Sequence, residues 1–430
     1  MTTAIARNQP RQQAPAGQAG KAGPLPVVVT NPNFAGSKAG ASQPREPQAM
    51  AFATDGPLEP SPTASTVATR ANPPAPKPLG AKPPRSYPIT NPVPESREGA
   101  RPSRRAVALL ADANQHAQTA KTEAQFTNLV QRCRHVLAID NSKTVVKYSK
   151  QLASWALNRR GELRADEGRR DEALTDFADA LAMDPTRWRA IHNRGVLLAQ
   201  SGDFAEAFDA FNATIELNPK FAKAYSNRAS LYVQAGDFES ALEDYSLAIT
   251  ADPDLAIAHK GQGRVCHMLG QMERALRHLD AAVLLAPRDA SVAGCRADLL
   301  VDMGRYNAAR LAYADAIRLD PNLASAYRNL SWLQSTCPDR RYAAPTEAVA
   351  NANKALELSG VEDDISLDTL AAALASAGDF RGATEAIRRA IELAPASDQP
   401  VYIERLSLYE SGKAFTSEPV QQAGFESPRR

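Results

Sequence analysis

The sequence predicts an all-α fold: a solenoid of about seven helical hairpins closed by a capping helix, after a disordered proline-rich arm. Three series of residues carry that expectation. Glycines fall at Gly168, Gly202, Gly236, Gly270 and Gly304, prolines at Pro185, Pro219, Pro253, Pro287 and Pro321, and alanines at Ala173, Ala207, Ala241, Ala275 and Ala309, each series spaced by 34 residues. One period kept by three residue types marks a repeated supersecondary unit, and such units must stack to bury their apolar faces.

The arm covers residues 1–104. Of the 31 prolines, 20 precede Ala106, and the same stretch holds 13 Lys/Arg against 5 Asp/Glu, a net +8. The remainder holds 37 against 43, so the overall +2 combines a basic arm with a mildly acidic body. Runs such as NPPAPKPLGAKPPRSYP oppose helix, because each proline lacks a donor and pushes the preceding residue out of the helical region. Large apolar residues are too sparse to offset the entropy of ordering. PLPVVVT is the apolar exception, either plain linker or a short docking motif. The arm is also where phosphate-backbone binding would reside, but it interleaves few aromatic residues with its charges, so dedicated nucleic-acid recognition is disfavoured.

Degenerate leading helices are expected over 105–153. One spans 122–139, with Phe126, Leu129, Val130, Cys133 and Leu137 along it, and a longer one spans 144–165 and runs into the first unit. The units follow at 154–187, 188–221, 222–255, 256–289, 290–323, 324–363 and 364–397. In the third, Tyr225, Ala229 and Tyr232 share one helical face, and Ala241, Tyr245 and Ala248 repeat that spacing. Gly236 suits the left-handed end of the first helix and Asp237 the cap of the second. Asp203 and Glu206 have capping-box spacing. Asp184, Asn218, Asp252 and Asp320, each before a proline, should stop the second helices. Small residues at Gly161, Gly195, Ala229, Gly263 and Ala297, set against the alanine series, allow close helix approach.

These units resemble tetratricopeptide repeats, most plainly AIHNRGVLLAQSGDFAEAFDAFNATIELNP and AYSNRASLYVQAGDFESALEDYSLAITADP. The resemblance covers roughly 154–397 and implies a scaffold or adaptor that binds protein or peptide ligands along its first helices. The period breaks at QSTCPDRRYAAP, residues 334–345, where Pro338 replaces the expected glycine and about five residues are added before Ala348 restores the phase. The block from Ser331, with its TCPD turn, resembles a C-terminal module of a group of bacterial repeat proteins. Cys337 there reads as a half-buried thiol at a helix end, or as a reactive thiol beside Arg340 and Arg341. Residues 398–414 read as a capping helix with Ile403, Leu406 and Tyr409, together with Tyr402, on one inward face, and 415–430 as a flexible tail.

In the family the resemblance points to, the groove is lined by the second, fifth, sixth and ninth positions of each first helix. In units two to four these are Arg189, His192, Asn193, Val196, Lys223, Ser226, Asn227, Ser230, Ile257, Lys260, Gly261 and Arg264, with four cations and no acid. Such a strip suits an acidic or carboxylate-bearing peptide, with Asn193 and Asn227 bonding its backbone. A carboxylate clamp of the chaperone-binding kind is not expected, since Asn158, Glu162 and Asn227 depart from its pattern. Arg160 and Arg228 are expected to pair internally with Asp176 and Asp244, sixteen residues on, whereas Arg194 faces Ala210 at that place.

No enzyme is expected. GQGRVCHMLG has Cys266 where a dinucleotide loop needs its third glycine, the six histidines lack metal-protease spacing, and no nucleophile elbow or P-loop occurs. The four cysteines show no zinc spacing, so neither cofactor nor metal is expected. MTTAIARNQPRQQ has no apolar core of a signal peptide, and no run reaches the length of a membrane span. A cytoplasmic protein with no small-molecule substrate and no membrane partner is the expectation, and a purely structural spacer remains an alternative.

Overall fold

The computed structural model describes residues 101–418. The arm falls outside these residues except for its last four. Among the described residues there are 17 α-helices and no strand. Three leading helices are α1 (Arg104–Ala117), α2 (Glu123–Ile139) and α3 (Lys143–Asp166), and α3 continues into the first hairpin with α4 (Arg170–Met183). The next hairpins are α5 (Trp188–Gln200) with α6 (Phe204–Leu217), α7 (Ala222–Gln234) with α8 (Phe238–Ala251), and α9 (Ala256–Met268) with α10 (Met272–Leu285). They are followed by α11 (Ala290–Asp302) with α12 (Tyr306–Leu319), α13 (Ala324–Thr336) with α14 (Pro345–Ser359), α15 (Asp364–Ser376) with α16 (Phe380–Leu393), and α17 (Gln399–Glu410). Each helix packs on its hairpin partner and on the next hairpin, so the pairs run in series.

The periodic residues explain the hairpin. Gly236 has φ 76° and makes the turn, after which the Asp237 backbone N–H donates to the Tyr232 carbonyl at 2.9 Å. That pattern satisfies a carbonyl the helix end would leave open. The Asp237 side chain then accepts from Ser240 N at 3.1 Å. Asp203 makes no such side-chain bond, so the capping box expected with Glu206 does not form. Asp184, Asn218, Asp252 and Asp320 are the C-caps of α4, α6, α8 and α12 and have left the helical region, as the following proline requires.

Close approach within the hairpins depends on missing side chains. A Cβ at Gly161 would lie 2.7 Å from Phe177, and one at Gly263 would lie 2.8 Å from Leu279. Phe177, Phe211, Tyr245, Leu279 and Tyr313 hold one repeat position and are all buried. Burying each such side chain contributes about 1.5–3 kcal/mol relative to leaving it in water. The expected ion pairs are present. Arg160 donates to both Asp176 oxygens at 2.9 and 2.6 Å, and Arg228 to both Asp244 oxygens at 2.7 Å.

The break in period is a longer turn inside an unbroken series. After α13 the chain leaves the helix at Cys337 in an extended conformation, with φ −56° and ψ 128°. Asp339 caps a short 3-10 helix at Arg340–Tyr342, and α14 starts on Pro345. Ala348 is fully buried, and Ser331 Oγ donates to its carbonyl at 2.7 Å, which restores the packing phase.

The capping helix turns the expected Tyr402 and Tyr409 to the core, with Leu406 packed beside them, but Ile403 is not on that face and Arg405 is. Ile403 is exposed, while Tyr402, Arg405 and Tyr409 point inward. The carboxylates of α15 set this orientation. Tyr402 Oη donates to Asp364 at 3.0 Å, and the Arg405 guanidinium pairs with the Asp368 carboxylate. An apolar Ile403 cannot supply those donors.

Candidate peptide-binding strip

The seven residues singled out on the first helices divide into a buried set and a cationic set. His192, Asn193 and Asn227 are buried, and their polar atoms form a directed chain between neighbouring helices. Asn227 Nδ2 on α7 donates to His192 Nε2 on α5 at 3.0 Å. His192 Nδ1–H donates to Asn193 Oδ1 at 3.2 Å. Asn193 Nδ2 donates to Glu162 Oε1 on α3 at 2.9 Å and to Asn158 Oδ1 at 3.3 Å. Asn158 Nδ2 also donates to Glu162 Oε1, at 2.6 Å. Every donor points toward the Glu162 carboxylate, and the scheme requires a neutral imidazole. Burial lowers the His192 pKa to about 3; the Asn193 bond opposes that shift, and the Lys223 and Arg189 charges reinforce it. The two asparagines expected to bond a peptide backbone thus bond across adjacent hairpins.

The cations Arg189, Lys223, Lys260 and Arg264 are half-buried on the same face of α5, α7 and α9. Arg189 lies over the Trp188 ring, 4.2 Å from its centroid, so its guanidinium is braced. Lys260 Nζ donates to Ser291 Oγ at 2.9 Å and lies 3.7 Å from Asp289. Acids occupy the ninth position on either side, Glu162 in the first unit and Asp298 in the fifth. Asp298 accepts from Tyr313 Oη at 2.5 Å and Asn329 Nδ2 at 2.8 Å. The basic stretch is thus bounded by an acid at both ends.

Cys337 is buried, and burial raises its pKa, so the arrangement is not that of an activated thiolate. The nearby Arg341 is exposed and pairs with Asp339 at 2.6 Å. Among the described residues no group of three or more His, Cys, Asp or Glu side chains could hold a metal ion, and no helix is long and apolar enough to cross a membrane.

Tetratricopeptide repeat profiles match residues 158–220, 222–255 and 296–323, in register with the hairpins above. The chain is built on tetratricopeptide repeats. No curated protein matches it. Among solved structures it is similar to a chain of the APC/C hetero-tetramer Cut9–Hcn1, with 17% identity and a TM-score of 0.48, covering 62% of this chain and 55% of that one. It is also similar to TTC0263, a tetratricopeptide repeat protein of Thermus thermophilus, with 25% identity and a TM-score of 0.37, covering 40% of this chain and 95% of that one. A third is pilF of Pseudomonas aeruginosa, with 18% identity and a TM-score of 0.44, covering 50% of this chain and 95% of that one. The chain thus spans about 55% of the Cut9–Hcn1 chain it matches.

Proposed function

We propose that the protein is a non-catalytic scaffold or adaptor whose repeats bind an acidic or carboxylate-bearing peptide along Arg189, Lys223, Lys260 and Arg264. The observation that carries this reading is the four half-buried cations on one face of three consecutive first helices, with no acid among the twelve positions. Partial burial of all four, and stacking of Arg189 on Trp188, restrict these side chains, so less rotamer entropy is lost when a carboxylate docks. The buried amide chain beneath them leaves recognition to charge, which predicts strong salt dependence.

The test is fluorescence anisotropy with a labelled acidic decapeptide carrying a free C-terminal carboxylate, and a basic decapeptide as control. The full chain is expected to bind the acidic peptide, to release it with rising salt, and to lose at least about tenfold in affinity on K223E/K260E reversal. Equal binding of the basic peptide, or full affinity after reversal, would refute the proposal.

A further inference from the structure

At the other end of the series the ninth position is Trp332, on α13. Its ring is covered by the chain's own C-terminal segment. Gly412 turns the chain after α17, and residues 413–418 then run back without regular structure to α13. The Phe415 ring lies 5.8 Å from the Trp332 ring. The Ser417 backbone N–H donates to the carbonyl of Thr336, the last residue of α13, at 2.8 Å, and the two hydroxyls are 3.0 Å apart. One aromatic anchor and one backbone bond are how a short extended peptide docks.

Arg405 lies beneath this cover and is 1% exposed. Its guanidinium is 4.6 Å from the Phe415 ring and 4.9 Å from the Trp332 ring, and one nitrogen pairs with Asp368. Its Nε and Nη2 are buried and make no hydrogen bond among the described residues. Phe415 supplies cation–π contact but no acceptor, so the pocket holds two N–H groups that the present occupant cannot satisfy. A ligand with an aromatic ring and an adjacent carboxylate would satisfy both requirements.

We propose that Trp332, Tyr402 and Arg405 form an aromatic-anchor subsite, filled in cis by Phe415, that accepts an extended partner segment carrying an aromatic residue next to a carboxylate. The site lies beyond the basic strip and does not depend on it. The tethered Phe415 competes at high effective concentration, so the incoming segment binds only as tightly as its displacement of the tail allows.

The test uses a labelled peptide of residues 411–420 with Thr416→Asp, titrated against the full chain and against the full chain with Phe415→Ala. The F415A chain should bind it at least about tenfold more tightly than the parent chain. The peptide with Phe415→Ala should bind neither chain, and the peptide without the aspartate should bind the F415A chain more weakly. K223E in the F415A chain should leave binding unchanged, which separates this subsite from the basic strip. Thermal melts establish that the variants fold. Ser417→Pro removes the N–H that bonds Thr336 without touching the pocket, and should also raise peptide affinity. Equal affinity for parent and F415A chains, binding of the phenylalanine-free peptide, no gain from the aspartate, or loss on K223E would each overturn the proposal.

Discussion

Replacing Gly261 with alanine places a methyl group where two hairpins meet. An added Cβ would lie 2.6 Å from the Tyr245 hydroxyl oxygen and closer still to the ring carbon that bears it. Tyr245 is 1% exposed, and its hydroxyl is 3.1 Å from Ser230 Oγ, so the ring has little room to retreat. Overpacking of this kind costs about 1–3 kcal/mol, and loss of the Ser230 bond adds about 1 kcal/mol. Better helix propensity returns about 1 kcal/mol, which leaves a net loss of about 1–3 kcal/mol. Gly294 provides the control, because it also lies inside a first helix but its Cβ would meet nothing within 4 Å. Gly294→Ala should therefore stabilise by up to about 1 kcal/mol. Urea unfolding followed by far-UV circular dichroism reads both midpoints. If Gly261→Ala is as stable as the parent while Gly294→Ala behaves as stated, the inter-hairpin packing described for Tyr245 is wrong.

Three further outcomes follow from protonation and ion pairing. His192 has a folded pKa of about 3, below its unfolded value, so the unfolded chain takes up a proton first and stability is lost as pH falls through about 6.5. Between about pH 7.5 and about pH 5 this amounts to roughly 2 kcal/mol. His278, lowered to about 4 chiefly by burial, acts in the same direction, so the check is a flatter profile of urea midpoint against pH in His192→Gln than in the parent. Asp244→Ala leaves the Arg228 guanidinium buried without its carboxylate and should cost about 3–5 kcal/mol. Glu385→Ala, which breaks an ion pair whose side chains are 92% and 66% exposed, should shift the same urea midpoint by less than about 0.5 kcal/mol.

What could be read from the sequence was whatever repeats at a fixed offset. The glycine turns, the proline stops and the Arg–Asp pairs sixteen residues apart each depend on one hairpin, and one hairpin fits within a single period. The burial of Arg405 on α17, with Ile403 left outside, depends instead on Asp368 and Trp332, which lie in other units, so the repeat gave no information about it. The same holds for Phe415, which reaches Trp332 across more than two units of chain. The residues expected to line a groove lie on first helices, yet His192, Asn193 and Asn227 direct polar atoms to neighbouring helices. A signal for this was present: Asn158 and Asn193, and likewise His192 and Asn227, are separated by 35 residues. Polar residues one period plus one position apart on adjacent first helices are as well placed to bond each other as to bond a ligand.

That division of labour makes one pair of substitutions decisive. Asn227 donates to His192 Nε2 from a fully buried position, so Asn227→Ala strands an imidazole nitrogen and breaks the first link of a chain ending at Glu162. The expected cost is about 1–3 kcal/mol in urea unfolding. Lys223→Ala, four residues earlier on the same helix, leaves every link of that chain intact. It should change stability by less than about 0.5 kcal/mol while weakening the acidic decapeptide severalfold. If the amide chain instead served the ligand, Asn227→Ala would weaken peptide binding at unchanged stability. The two measurements on the two variants therefore separate a register device from a recognition device, because each assignment predicts a loss in the assay where the other predicts none.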